Sequence, residues 1–142
     1  MPSHSGDVLA LDVGEKRIGV ARANLIVRIP QPLTTIERGS GDVLQVIADL
    51  LKDHRASTLV LGLPRGLDGQ ETAQTRTVRA FGAELEARVG LPIHWQDEAL
   101  TSNKAEAALN ARKKPYAKGE VDALAATYIL EDYLYDHPEA QA

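Results

Sequence analysis

The chain contains no cysteine. Disulfide frameworks, thiolate metal sites and Cys nucleophiles are therefore excluded, and a reducing compartment fits. It also has no apolar run approaching the length of a membrane span. The opening stretch, Met1 to Asp7, is polar and lacks the apolar centre of a secretion signal. The expectation is a cytoplasmic protein with no membrane partner. Basic excess is missing as well, since the formal net charge is −4. Proteins that coat nucleic acid non-specifically are usually basic. Any contact with phosphate must then come from local patches. Aromatics are scarce: one Trp, one Phe and four Tyr, most of them on stripes expected to face the core. No helix offers an obvious second apolar face to a partner, so a monomer or weak homodimer is expected. The four histidines, His4, His54, His94 and His137, are scattered without ligand spacing and read as ordinary polar or partly buried residues.

What is present suffices for a core. The chain has 142 residues, 44% of them hydrophobic, which fits one domain over 1–142. Val8-Leu9-Ala10-Leu11 is an unbroken apolar run, the mark of a strand covered on both faces, and it ends in Asp12-Val13-Gly14. A β-prone stretch from Arg17 to Ala23 follows after a short gap, which suggests an antiparallel hairpin. A third strand is expected over Val27 to Ile36, at a sheet edge because of Pro30 and Pro32. Helical spacing then takes over at Val43, Ile47, Leu50 and Leu51, with Ser40 or Asp42 as the cap.

Thr58 to Leu63 is a second buried strand, followed by a loop with a turn at Asp68-Gly69. Val78, Phe81 and Leu85 stripe a long helix that stops near Gly90. Pro92 to Gln96 is the last strand, Asn103 to Ala111 a short helix, and Glu120 to Tyr135 the final one. The two later strands arrive through helical crossovers and should run parallel to the first. The fold class expected is α/β, a mixed five-stranded sheet with helices on both faces. The tail from His137 is polar and is expected to fray.

Three acids need an explanation. Asp12 ends the most buried strand, where a carboxylate is costly unless a cation or strong donors balance it. Asp97-Glu98 lies at the carboxyl end of another parallel strand, hence on the same sheet edge, where ligands of open α/β sheets gather. Asp122 shares a helix face with Ala125, Ala126, Ile129 and Tyr133, a face that should look at the core. Each has a plainer reading: a turn cap, a solvated loop acid, or an acid complementing a helix dipole. Together they are three carboxylates on one rim. Hard oxygen ligands without nearby His or Cys favour Mg²⁺ or Mn²⁺. Such ions can activate water and stabilise the leaving oxygen of a phosphodiester. Asp12, Glu98 and Asp122 are therefore the candidate catalytic and metal-binding residues.

Candidate nucleic-acid contacts lie nearby. Lys16 and Arg17 follow the glycine turn after Asp12, and Arg65 sits in a loop made pliable by Gly62, Gly66 and Gly69. The densest basic run is Arg112, Lys113, Lys114 and Lys118, with Tyr116 placed to stack on a base.

These residues resemble the YqgF family. The resemblance rests on four blocks in family order: Leu11-Asp12-Val13-Gly14 with Lys16-Arg17-Ile18-Gly19-Val20-Ala21; Gly62-Leu63-Pro64 with Asp68-Gly69; Asp97-Glu98 with Leu100-Thr101-Ser102; and Lys118-Gly119 with Asp122, Ala125-Ala126 and Ile129-Leu130. It implies an RNase H-like fold over an ordered core of about residues 7 to 135. It also implies a nuclease, described both as a Holliday-junction resolvase and as the enzyme maturing the 5′ end of small-subunit (pre-16S) ribosomal RNA. Asp12, Glu98 and Asp122 match its metal acids. Two positions depart: Ala99 stands where the family usually has Arg, and Lys104 replaces an acid. The grip on phosphate would then come from Arg65, Lys16 or the Lys113 region. RNA is the favoured substrate, with branched or single-stranded DNA and ribosomal precursor particles as further partners.

Two rivals remain at this level. Sugar kinases and actin-like ATPases share the fold and the turn, but close two such lobes around a nucleotide. A non-catalytic ribosome-assembly or nucleic-acid-binding factor would have little reason to keep three repelling carboxylates.

Overall fold

Alternation along β1 decides the architecture. The computed structural model describes residues 6–66, 68–98 and 118–138, with only the backbone of Lys118. Its elements are β1 (Asp7–Val13), β2 (Arg17–Asn24), β3 (Gln31–Glu37), α1 (Val43–Asp53), β4 (Thr58–Pro64), α2 (Ala73–Val89), β5 (Ile93–Glu98) and α3 (Lys118–Asp136). The sheet order is β3-β2-β1-β4-β5. β2 is antiparallel to β1 and β3, whereas β4 runs parallel to β1 and β5. This is the mixed five-stranded sheet expected. The helix expected at Asn103 to Ala111 lies outside the described residues. No described helix is long and apolar enough to cross a membrane.

The two sheet faces differ in side-chain size. One carries Leu9, Leu11, Ile18, Val20, Leu59 and Leu61 and packs on α1 and α2 through Ile47, Leu51, Val78, Phe81 and Leu85. The other carries the small residues Ala10, Ala21 and Ala23 with Val8 and Val60, and receives Ala126, Ile129, Leu130 and Tyr133 of α3. Small residues let α3 lie close to the strands. The closest approach is at Gly19, where a β-carbon would run into the backbone of Asp122. Thr35 of β3 fixes the start of the helix, its Oγ1 donating to the Gly119 carbonyl at 2.6 Å.

Gly19→Ala should therefore push α3 off the sheet. A loss of roughly 1–3 kcal/mol, typical of overpacking, is expected in urea denaturation. An unchanged midpoint would mean that the helix shifts without cost.

The largest boundary shift from the sequence reading is in β3, and β5 also ends two residues later than expected, at Glu98 rather than Gln96. β3 starts at Gln31 rather than Val27, because Asn24 captures the chain first. Its Oδ1 accepts from the Ile26 and Val27 amides at 2.8 and 3.2 Å. Arg28 then turns left-handed at φ 61° and donates through Nη2 to the Leu134 and His137 carbonyls. Ile26, Val27 and Ile29 stand 61–70% exposed on this turn. Elsewhere the caps are as expected. Asp42 caps α1 by accepting from Gln45 N–H, and Gly90 ends α2 in the left-handed region at φ 74°.

Candidate active site

Asp12 lies on the α3 face of the sheet. It follows Val8 and Ala10 at the two-residue period of that face and stands opposite Gly19. Its carboxyl is partly accessible at the rim yet closely walled in by protein. Burial, and secondarily the charge of Asp122, push its pKa up from 3.8 to about 6. Asp122 comes within electrostatic reach because α3 touches down at Gly19, directly opposite Asp12.

Asp122 accepts an ion-paired hydrogen bond from Arg17 Nε at 2.7 Å. Arg17 lies two residues from Gly19 and hence on the same face. The hydrogen bond and the charge of Asp122 hold the guanidinium more firmly protonated than usual.

Glu98 is on the same face and edge but stands apart. Gln96, two residues earlier, donates to Asp136 of α3 at 2.9 Å, so Glu98 shares that side by alternation. Asp97, between them, turns to Arg65 at 3.2 Å. Leu11 is level with Leu61, and Gly62 with Gln96. Asp12 and Glu98 are thus two strands and two residues apart, roughly 10 Å across the sheet and 7 Å along it. Accordingly, among the described residues no three His, Asp or Glu side chains gather closely enough to hold a metal. The acids brought together are Asp12 and Asp122, with Glu98 as a rim neighbour.

The basic candidates divide. Lys16 is exposed on the β1–β2 turn. Arg65 pairs with Asp97 and with Glu71, which also takes a two-pronged contact from Arg79. Lys113 and Lys114 lie outside the described residues, as does the Lys118 side chain.

Sequence reasoning missed Arg38. Its Nη1 donates to the Gly14 carbonyl at 2.7 Å and its guanidinium lies 5.0 Å from the Phe81 ring centre, bracing the turn after Asp12. Partners 24 and 43 positions away leave no local signal. Beside this turn is a cleft of about 470 Å³ lined by Val13, Gly14, Arg38, Gln74 and Thr77, a size suited to a small ligand group.

The donors at the acid pair are carboxylate oxygens alone, which fits a hard divalent cation. The raised pKa of Asp12 records burial first and the charge of Asp122 second, and a bound cation would offset both.

A family profile described as RuvX, Holliday junction resolvase, matches residues 6–136. The protein of Crocosphaera subtropica named "Putative pre-16S rRNA nuclease" is 47% identical over 130 residues, spanning 89% of this chain and 90% of its own length. The protein of the same name from Moorella thermoacetica is 41% identical over 133 residues, spanning 89% and 93%. Among solved structures, T. thermophilus RuvC in complex with Holliday junction substrate has a TM-score of 0.58 at 14% identity, covering 96% of this chain and 98% of that one. At that identity the likeness speaks for the fold, which is RNase H-like. With a profile spanning both acids of the pair and relatives matched over nearly their full length, the chain belongs to the RuvX family, the YqgF family of its motif blocks, whose members are nucleases.

Proposed function

We propose that the chain acts as one nuclease domain that hydrolyses phosphodiester bonds of single-stranded RNA in the cytoplasm, maturing the 5′ end of pre-16S ribosomal RNA on precursor particles. The observation that carries the catalytic part is the walled-in Asp12 within electrostatic reach of Asp122, which Arg17 pairs in the metal-free protein. Asp12 and Asp122 would hold Mg²⁺ or Mn²⁺, with Glu98 as third ligand. Glu98 stands two strands away, and the three acids are not clustered as they stand. The cation would supply activation of a water and stabilisation of the leaving oxygen. The residues of the chain do the rest. Asp12 fixes the position of the ion by its burial. Lys16, Arg65, Lys113, Lys114 and Lys118 hold the phosphate backbone by charge.

The family description and the junction-bound RuvC support a second reading, cleavage of four-way DNA junctions. Paired cuts on two strands suit a two-fold dimer with two sites facing one junction. The net charge of −4 suits brief handling of one flexible strand better than a grip on a junction, and a monomer or weak dimer follows from that. The two readings part in one assay: labelled single-stranded RNA and a four-way DNA junction at equal enzyme with Mn²⁺, an EDTA control, and light scattering for mass. Metal-dependent RNA cleavage by a monomer is expected. A stable dimer that cuts the junction symmetrically and spares RNA would overturn the RNA reading.

A further inference from the structure

Arg17 occupies one carboxylate oxygen of Asp122, an acid of the proposed metal site. Its Nε donates to Asp122 Oδ2 at 2.7 Å, across 105 residues of sequence. Both side chains keep some access to solvent, 24% for Arg17 and 19% for Asp122, so the pair can open without unpacking the core. A second acid is within electrostatic range of the same guanidinium. Glu37 is directly opposite Arg17 in the β2–β3 register, on the α3 face, and it too favours the charged guanidinium. It is exposed at the sheet edge. Arg17 thus has an inner carboxylate, Asp122, and an outer one, Glu37.

We propose that Arg17 is a positioning residue that serves as the resident counter-ion of Asp122 in the metal-free protein, is displaced outwards when a divalent cation binds there, and then becomes a phosphate contact. This rests on the metal-site reading above and adds an exchange of one cation for another. A guanidinium and a divalent cation on the same carboxylate oxygen repel one another and compete for its lone pairs. Before loading, Arg17 limits repulsion between Asp122 and Asp12 and keeps α3 seated. After loading, its planar fork is released beside the place where the cation holds a phosphate, the geometry guanidinium groups recognise best. Metal binding and substrate binding are thereby coupled through one side chain. Nucleic acid should gain the Arg17 contact only once the cation is in place.

The test is calorimetric titration of Mn²⁺ into the metal-free wild type, Arg17→Gln, Arg17→Lys and Asp12→Asn, with circular dichroism to confirm folding. Competition predicts that Arg17→Gln binds Mn²⁺ about tenfold more tightly than wild type, the gain from removing one charge-assisted bond. Arg17→Lys retains the charge and should stay within about threefold of wild type. A merely structural Arg17 would give the opposite result, weaker Mn²⁺ binding in Arg17→Gln. A second readout is the affinity for a short single-stranded RNA, taken with Ca²⁺ as the cation and again in EDTA. Arg17→Gln should weaken RNA binding with Ca²⁺ and leave it unchanged in EDTA. If Arg17→Gln does not fold, Arg17→Lys decides: Mn²⁺ bound more than threefold more weakly than by wild type would overturn competition. Equal Mn²⁺ affinity in wild type and Arg17→Gln, with binding still lost in Asp12→Asn, would overturn the exchange and leave the metal site standing. Mn²⁺ binding that survives Asp12→Asn would overturn the metal site itself.

Discussion

Asp12→Asn should lower cleavage about a thousandfold or more, beyond the 10²–10³ that losing a single stabilising donor costs an enzyme. The reason is where Asp12 sits. It is closely walled in by protein, on a strand whose residues Val8 to Leu11 are fully buried, so no other side chain can move in to replace it. The amide is nearly isosteric and keeps the packing of β1, but it supplies neither the charge nor the second acceptor oxygen that a divalent cation requires. Asp122→Asn should lose nearly as much. Glu98→Gln should lose less, since Glu98 stands farther from the acid pair, and its loss should shrink as Mn²⁺ concentration is raised. The measurement is single-turnover cleavage of labelled RNA by variants prepared free of wild type. Full activity in Asp12→Asn would remove the metal role from this residue and the nuclease site from this rim.

How much of this was legible depended on how local the signal was. Asp12 could be read because a carboxylate ending an apolar run is costly in any fold. Asp122 could be read because it breaks the apolar face of its own helix, and the alanines beside it indicated a close approach. The partner of that approach, Gly19, was visible only as part of a family block. The role of Gly19 depends on the β1–β2 register and on where α3 lands. Glu98 was placed on the correct edge, since parallel strands end together. Its separation from Asp12 was not legible, because the number of strands between them follows from sheet order, a non-local outcome.

The pairing of Arg17 with Asp122 was hidden for the same reason. A basic residue after a glycine turn reads as a phosphate contact until the acid that arrives 105 positions later is seen beside it. The start of β3 failed for the opposite reason, a local contest. Val27 and Ile29 have strong β propensity, but the Asn24 side chain bonds two amides and turns the chain before a strand can start.

The metal-free protein should lose stability as pH rises through about 6, and Asp12 should be the cause. Burial first, and the charge of Asp122 second, raise its pKa from 3.8 to about 6 in the folded state. A carboxyl whose pKa rises on folding binds its proton more tightly when folded. Its stabilising contribution is complete below 3.8 and is lost as pH climbs through about 6. At about 1.4 kcal/mol per pH unit, the difference across that window is about 3 kcal/mol, or roughly 10 °C in melting temperature for a domain of this size.

Other acids titrate at the lower end, so the informative quantity is the difference between wild type and Asp12→Asn. That difference should be small at pH 4. It should grow in favour of the variant through pH 6 and level off by about pH 7.5. Saturating Mn²⁺ should reverse the order at pH 7.5, since a cation bound only to the folded wild type stabilises it by mass action. Thermal melts of both proteins at pH 4, 6 and 7.5, with EDTA and with Mn²⁺, give the whole comparison. Melting curves that stay parallel across the three pH values would show that Asp12 folds as an ordinary ionised carboxylate, and the charge strain attributed to the rim would have to lie elsewhere.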